Sequence, residues 1–247
     1  MPGMAVVKRR SAGLPTRGVG HPGRVSISNI AALPVRLGAA LRHRRLFHPV
    51  GVLASGTIER IAPTSEGLPM VSGEVVGRMS KGVGLPGALP DIAGVAWRMS
   101  PPVPPSTPWD VLLASTTGGA LGRVLLRPVT SWSGTTFSSL MPLGFRGGVW
   151  WLRARVATVI DAPGLLLDTI IDEIGRGGID FDIEQAAGTG EFRPLARLSL
   201  RNVIPPDRDV AFDPTLHSPP GVKLLPGWLT DFRRAAYRSS RRGRDAE

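Results

Sequence analysis

Cysteine is absent from the 247 residues. That excludes disulfide scaffolds, thiolate nucleophiles and cysteine-bound zinc. Histidine is scarce, and His21, His43, His48 and His217 have no HxxxH or HExxH spacing, which argues against a histidine-based metal site. Tyrosine occurs once, at Tyr237, and asparagine only at Asn29 and Asn202. No apolar run reaches the roughly 18 residues of a membrane span. The basic N-terminus is not followed by the apolar stretch of a signal peptide. The expectation is a soluble, cytoplasmic protein. A GxSxG nucleophile elbow is missing, and "GVGLPGALPD" lacks the GxGxxG spacing and following helix of a phosphate loop.

What is present points to a globular, strand-rich chain. Hydrophobic residues make up 42% and charged residues 20%, enough for a sizeable core. The 31 glycines and 24 prolines favour short elements parted by turns. The net charge of +11 predicts affinity for anions. Much of that excess crowds the two ends of the chain. Residues 1–25 read as a basic flexible arm and 26–247 as the main domain. A short helix is expected from about Asn29.

From His48 onward the texture is that of strands. "GVLASGTIERI", "GEVVGRM", "GVAWRM", "WDVLLAS", "GGVWWLRARVATVI", "GIDFDIEQA" and "FRPLARLSLRNVI" form the series. In "IDFDIEQ" the alternation puts Ile179, Phe181 and Ile183 on one face and Asp180, Asp182 and Glu184 on the other. A glycosidase pair could sit among those carboxylates, though a solvated strand face is the plainer reading. A helix is expected at about 164–175 with Gly175 as its stop, and another near the C-terminus, capped by Thr230 or Asp231. Strands that do not alternate with helices argue against a parallel α/β sheet and for an antiparallel barrel. The fold class expected is α+β, a barrel of about eight strands with a few flanking helices.

The C-terminal "DFRRAAYRSSRRGR" sets Arg233 and Tyr237 four residues apart, on one helical face. A guanidinium beside a phenol favours phenolate, and a phenolate is a hard anionic ligand for ferric iron. By itself the stretch also reads as an exposed tyrosine in a basic helix.

Several segments together resemble the catalase family. "VAFDPTLHSPPGVKLLPGWLTDFRRAAY", Val210 to Tyr237, is similar to a stretch reading approximately AFDPxxxxPGIE followed by the proximal signature RxFxYxDxxxxR. Ala235 and Ser239 depart from that signature. "RLFHPVG" resembles RVxHAxG, and "GRMSKGVGLPGALPDIAGVAWRM" resembles VRFSxxxGxxxxxDxRGFAxKF. "WDVLLAS" resembles WDLVGNN, and "LARLSLRN" resembles GRLxLNRN. The motifs keep the family's order over residues 45–244. The chain is much shorter than a full-length catalase and resembles the minimal, barrel-only members, without the helical domain and wrapping arm.

The resemblance implies a haem enzyme. It makes Tyr237 the iron ligand, tuned by Arg233, and His48 the distal acid and base, oriented by Ser80. Arg45, Arg78 and Arg244 become propionate partners, Arg242 a neighbouring arginine, and Phe212 part of the haem-binding segment. Asp91 and Gly94 become the DxxG turn. The position of the family's distal asparagine falls in Ala114-Ser115-Thr116, so turnover of organic hydroperoxides is expected rather than fast disproportionation of hydrogen peroxide. Partners expected are a small hydroperoxide and an electron donor, with a homo-oligomer compatible. Two other readings stand beside it: a haem-free barrel acting as a ligand-binding module, and a basic protein holding nucleic acid through its ends.

Overall fold

The computed structural model describes residues 50–86, 89–100, 107–118, 122–205, 208 and 210–225. The expected basic arm, the helix near Asn29 and the C-terminal helix lie outside the described residues. So do Arg45, His48, Arg233, Tyr237, Arg242 and Arg244.

Eleven strands and one helix make up the described part. They run β1 (Val50–Arg60), β2 (Gly73–Lys81), β3 (Ala93–Met99), β4 (Trp109–Gly118), β5 (Arg123–Leu126), β6 (Thr136–Ser138), β7 (Leu143–Phe145), β8 (Gly148–Val156), α1 (Leu167–Arg176), β9 (Ile179–Ala187), β10 (Arg193–Val203) and β11 (Lys223–Leu224). Every pairing between strands is antiparallel. The order β8-β6-β4-β3-β2-β1-β10-β9 returns to β8, which closes an eight-stranded barrel. Closure leaves none of these eight strands as an open edge. β7 and β11 extend the sheet beside β8, and β5 pairs with the end of β4.

Period-two alternation builds the interior. Met79, Val95, Trp97, Val111, Leu113, Phe137, Leu152, Phe181 and Leu198 all point inward and are buried. Gly77 also faces inward, and a β-carbon there would stand 2.5 Å from Leu200 Cδ2. Glycine at that position therefore makes room for a leucine reaching from β10. Helix α1 packs against β10, β1 and β9 and adds Ile170 and Ile174 to the core.

All seven expected strands form. The helix corrects both boundaries: it begins at Leu167 rather than about 164, runs on through Gly175 and ends at Arg176, with Gly177 as its C-cap. The amides of Gly177 and Gly178 both bond Glu173 O, and Gly178 takes the left-handed φ of +98° that a glycine tolerates. A pair of glycines past the helix outweighs a single one within its last turn.

Candidate functional site

With the interior filled by side chains, chemistry falls to the outer faces of the barrel. The register arranges the outer face of β1 to β4 in rows. One row runs Gly51, Ser80, Gly94, Ala114 and on to Ser138 of β6. The next runs Leu53, Arg78, Ala96 and Leu112, and the third Ser55, Val76, Arg98 and Asp110. Directly paired residues share a face. The first row is therefore a strip of very small side chains across five strands, with a leucine on either side of Arg78 and Ala96 below it. Ser80, Ala114 and Ser138 are all buried.

Arg78 and Ser80, two residues apart on β2, meet over Gly51. A β-carbon at Gly51 would lie 2.6 Å from Arg78 Nε, 2.8 Å from Ser80 Cβ and 2.8 Å from the carbonyl of Met79. No side chain fits there without displacing backbone. Gly51 is thus what lets the arginine stem and the serine sit close on this face, a reading the motif alone did not single out.

The loop between β2 and β3 is organised by Asp91. Its buried carboxylate accepts backbone N–H groups from Val83 (2.9 Å), Gly84 (2.8 Å), Leu85 (2.9 Å) and Ile92 (2.7 Å). The glycine-rich "GVGLPGALPD" accordingly gives three of its amides to its own aspartate, as a turn rather than a phosphate cradle. Lys81 Nζ donates to the carbonyl of Leu85 and ties the loop back to β2.

At the third row Arg98 and Asp110 form a bidentate pair, with Nε to Oδ1 and Nη2 to Oδ2 both at 2.6 Å. Hydrogen bonding to Asp110 raises the Arg98 pKa above its ordinary value, against the opposing effect of burial. The pair also fastens the 211–217 segment. Arg98 donates to the carbonyl of Ala211 at 2.8 Å, and the amide of Asp213 donates to Asp110 Oδ2 at 2.7 Å. His217 Nδ1 lies 2.8 Å from Asp110 Oδ2 and 2.9 Å from Arg98 Nη2, so it donates to the first or accepts from the second according to its tautomer. Phe212 lies under the Arg98 guanidinium, 5.7 Å from carbon to ring centroid. Phe212 is thus placed against Arg98 in the third row, not beside Arg78 and Ser80.

The carboxylates of "IDFDIEQ" do face away from Ile179, Phe181 and Ile183, but they are not merely solvated. Glu184 is buried and accepts from Arg153 at 2.6 Å and Arg155 at 3.1 Å. Asp180 accepts from Arg201 and Ser199, both at 2.6 Å. Asp182 pairs loosely with Arg197 at 3.6 Å. Each carboxylate is matched to arginine, which is the arrangement of a structural ion-pair network rather than of an acid and base pair. Among the described residues no group of three or more metal-ligating side chains is present, and no helix is long and apolar enough to cross a membrane.

Of the site residues expected from sequence, the described part therefore brings together Arg78, Ser80 and the Asp91 turn, and sets Phe212 apart from them. Thr116 was named only as a neighbour of Ala114, and Ser138 was not expected at all. The place of Ser138 opposite Ala114 follows from strand register, which the sequence pattern of a three-residue strand does not reveal.

No family model matches the chain, and no curated protein does. Solved structures do match. A bacterial catalase superposes with a TM-score of 0.58 at 14% identity, over 92% of this chain and 62% of that one. A fungal catalase gives 0.57 at 11% identity, over 90% and 64%. Catalase A from Saccharomyces cerevisiae gives 0.58 at 11% identity, over 93% and 67%. The chain thus spans roughly two thirds of the length of these catalases. At such identities the likeness is one of architecture, and it shows that the chain has a catalase-like fold, a closed eight-stranded antiparallel barrel with one described helix.

Proposed function

We propose that the chain is a haem-dependent peroxidase that reduces organic hydroperoxides with electrons from a second, donor substrate. The observation that carries this reading is the outer face of β1 to β4. A flat, apolar macrocycle with anionic edges needs a face without upright side chains and a cation at its margin. Gly51, Gly94, Ala96 and Ala114 keep that face low, Leu53 and Leu112 keep it apolar, and Arg78 supplies the cation. These residues fit the group.

In this reading Arg78, Arg45 and Arg244 bind the carboxylates of the haem as charge-assisted pairs. Tyr237 holds the iron as a phenolate, which Arg233 favours by its charge. The bound haem supplies the redox chemistry of O–O cleavage. His48 accepts the proton of the hydroperoxide and returns it to the leaving oxygen, general acid–base work worth roughly 10²–10⁴-fold. Ser80 orients the imidazole of His48 through its hydroxyl. Ala114, in place of a carboxamide, leaves room for an organic substituent and disfavours fast disproportionation of hydrogen peroxide.

The test is the visible spectrum of the full chain purified from haem-sufficient cells. A Soret band that is lost in Tyr237→Phe is the expected result. A chain without a Soret band, even after haemin is added, overturns the reading.

A further inference from the structure

Two buried hydroxyls lie beside Ala114. Ser138 is directly opposite Ala114 in the β4–β6 pairing. Thr116 is two residues further along β4, on the same outer face. Thr116 is 3% and Ser138 1% exposed, and neither Thr116 Oγ1 nor Ser138 Oγ has a hydrogen-bond partner among the described residues. The neighbouring buried hydroxyls of Ser115 and Thr135 are engaged. Ser115 accepts from the amide of Ala93 and donates to the carbonyl of Arg127, and Thr135 donates to the carbonyl of Ser131. Burying a hydroxyl without a partner costs free energy, and such groups are the exception in folded chains. Two of them beside one alanine call for a common explanation.

The position they flank supplies it. Ala114 stands where the catalase pattern has an asparagine carboxamide. A carboxamide offers donors and an acceptor at one point; two hydroxyls around a methyl offer donors and acceptors at its margins. We propose that Thr116 and Ser138 together supply the hydrogen bonds to the bound hydroperoxide that the family pattern assigns to that asparagine. The proposal rests on the haem reading. It also narrows the substrate class. With the polar groups withdrawn from 114 to its neighbours, the Ala114 methyl offers apolar contact to the carbon substituent of an alkyl hydroperoxide, while the hydroxyls hold its oxygens.

The experiment uses the full chain reconstituted with haemin and fluoride as the probe, a small anion that accepts hydrogen bonds. Binding is read from the visible spectrum in wild type, Thr116→Val, Ser138→Ala, the double variant and Thr116→Ser. Each lost hydroxyl should weaken fluoride binding by about threefold to tenfold, the worth of one hydrogen bond, and Thr116→Ser should retain wild-type affinity. In the haem-free chain Thr116→Val and Ser138→Ala should leave the melting temperature unchanged or raise it. Unchanged fluoride affinity in the double variant, with the Soret band intact, overturns the proposal and leaves the haem reading standing. A marked fall in haem-free melting temperature, or loss of folding, also overturns it, because the hydroxyls are then structural. A wild-type chain that takes up no haemin overturns both.

Discussion

The outer face of β1 to β4 and the outer face of β8 to β10 belong to one barrel and are built by opposite rules. On β8 to β10 long charged side chains satisfy one another: Glu184 with Arg153 and Arg155, Asp180 with Arg201, Asp182 with Arg197. Arg153 and Arg123 further stack on Phe192, at 4.0 and 4.8 Å from the ring centroid. Crowding by burial and by Arg153 lowers the Arg123 pKa. In the row Gly51, Ser80, Gly94, Ala114 and Ser138 the side chains are short, and the hydroxyls of Thr116 and Ser138 have no partner among the described residues. A face that closes its own hydrogen bonds has no need of a ligand. One that keeps a row of small side chains, with two buried hydroxyls beside it that lack a partner among the described residues, is open to one. The contrast supports the proposed site more strongly than any one motif does.

The largest expected effect lies where the two rules meet on one face, at Asp110. It is fully buried and holds Arg98, His217 and the amide of Asp213. Asp110→Ala removes the bidentate carboxylate from the Arg98 guanidinium and the acceptor from the Asp213 amide. Breaking a buried pair from one side costs roughly 3–5 kcal/mol. The midpoint of urea unfolding should fall accordingly, with its slope unchanged. A loss under about 1 kcal/mol would show that the knot is dispensable and that the 211–217 segment is held by other means.

A middle effect is expected from adding one methyl to the small-residue face. Gly51→Ala drives a β-carbon to 2.6 Å from Arg78 Nε and 2.8 Å from the Met79 carbonyl. Overpacking of this kind costs about 1–3 kcal/mol. Gly73→Ala at the start of β2 is the control, since nothing lies within 4 Å of a β-carbon there, and its stability should change by no more than about 0.5 kcal/mol. Equal costs at the two glycines would mean that the face is not built around Gly51.

How much of this could be read from the chain depends on the length scale of each signal. "IDFDIEQ" and "WDVLLAS" are long enough for alternation to declare a strand, and β9 and β4 form there. β6 has three residues and β11 two, too few for any period, and both went unseen. The closing pairing of β8 with β9 joins strands parted by a helix, and periodicity carries no information about it. Arg78, Ser80 and Asp91 could be named as candidates because each sits in a motif of fixed spacing. The Arg98–Asp110–His217 knot and the Thr116–Ser138 pair were not. They join residues that only the barrel's register brings together, and a hydroxyl's lack of a partner cannot be read from sequence.

The smallest effect should come from Asp182 on the charged face. Its partner Arg197 is 3.6 Å away, and the two side chains are 41% and 55% exposed. Exposed pairs of this geometry contribute between nothing and about 1 kcal/mol, since water screens them and ordering two side chains offsets the gain. Asp182→Asn should therefore shift the unfolding free energy by less than about 0.5 kcal/mol. Whatever shift is found should vanish near 1 M salt, where the Debye length falls to about 3 Å. Glu184, one pleat along on the same strand, is buried between two arginines, so the charged face is itself graded from a buried anchor to a solvated fringe. A salt-independent loss above about 1 kcal/mol in Asp182→Asn would erase that grading. It would mean that the outer face of β8 to β10 is one cooperative network, with Asp182 as integral to it as Glu184.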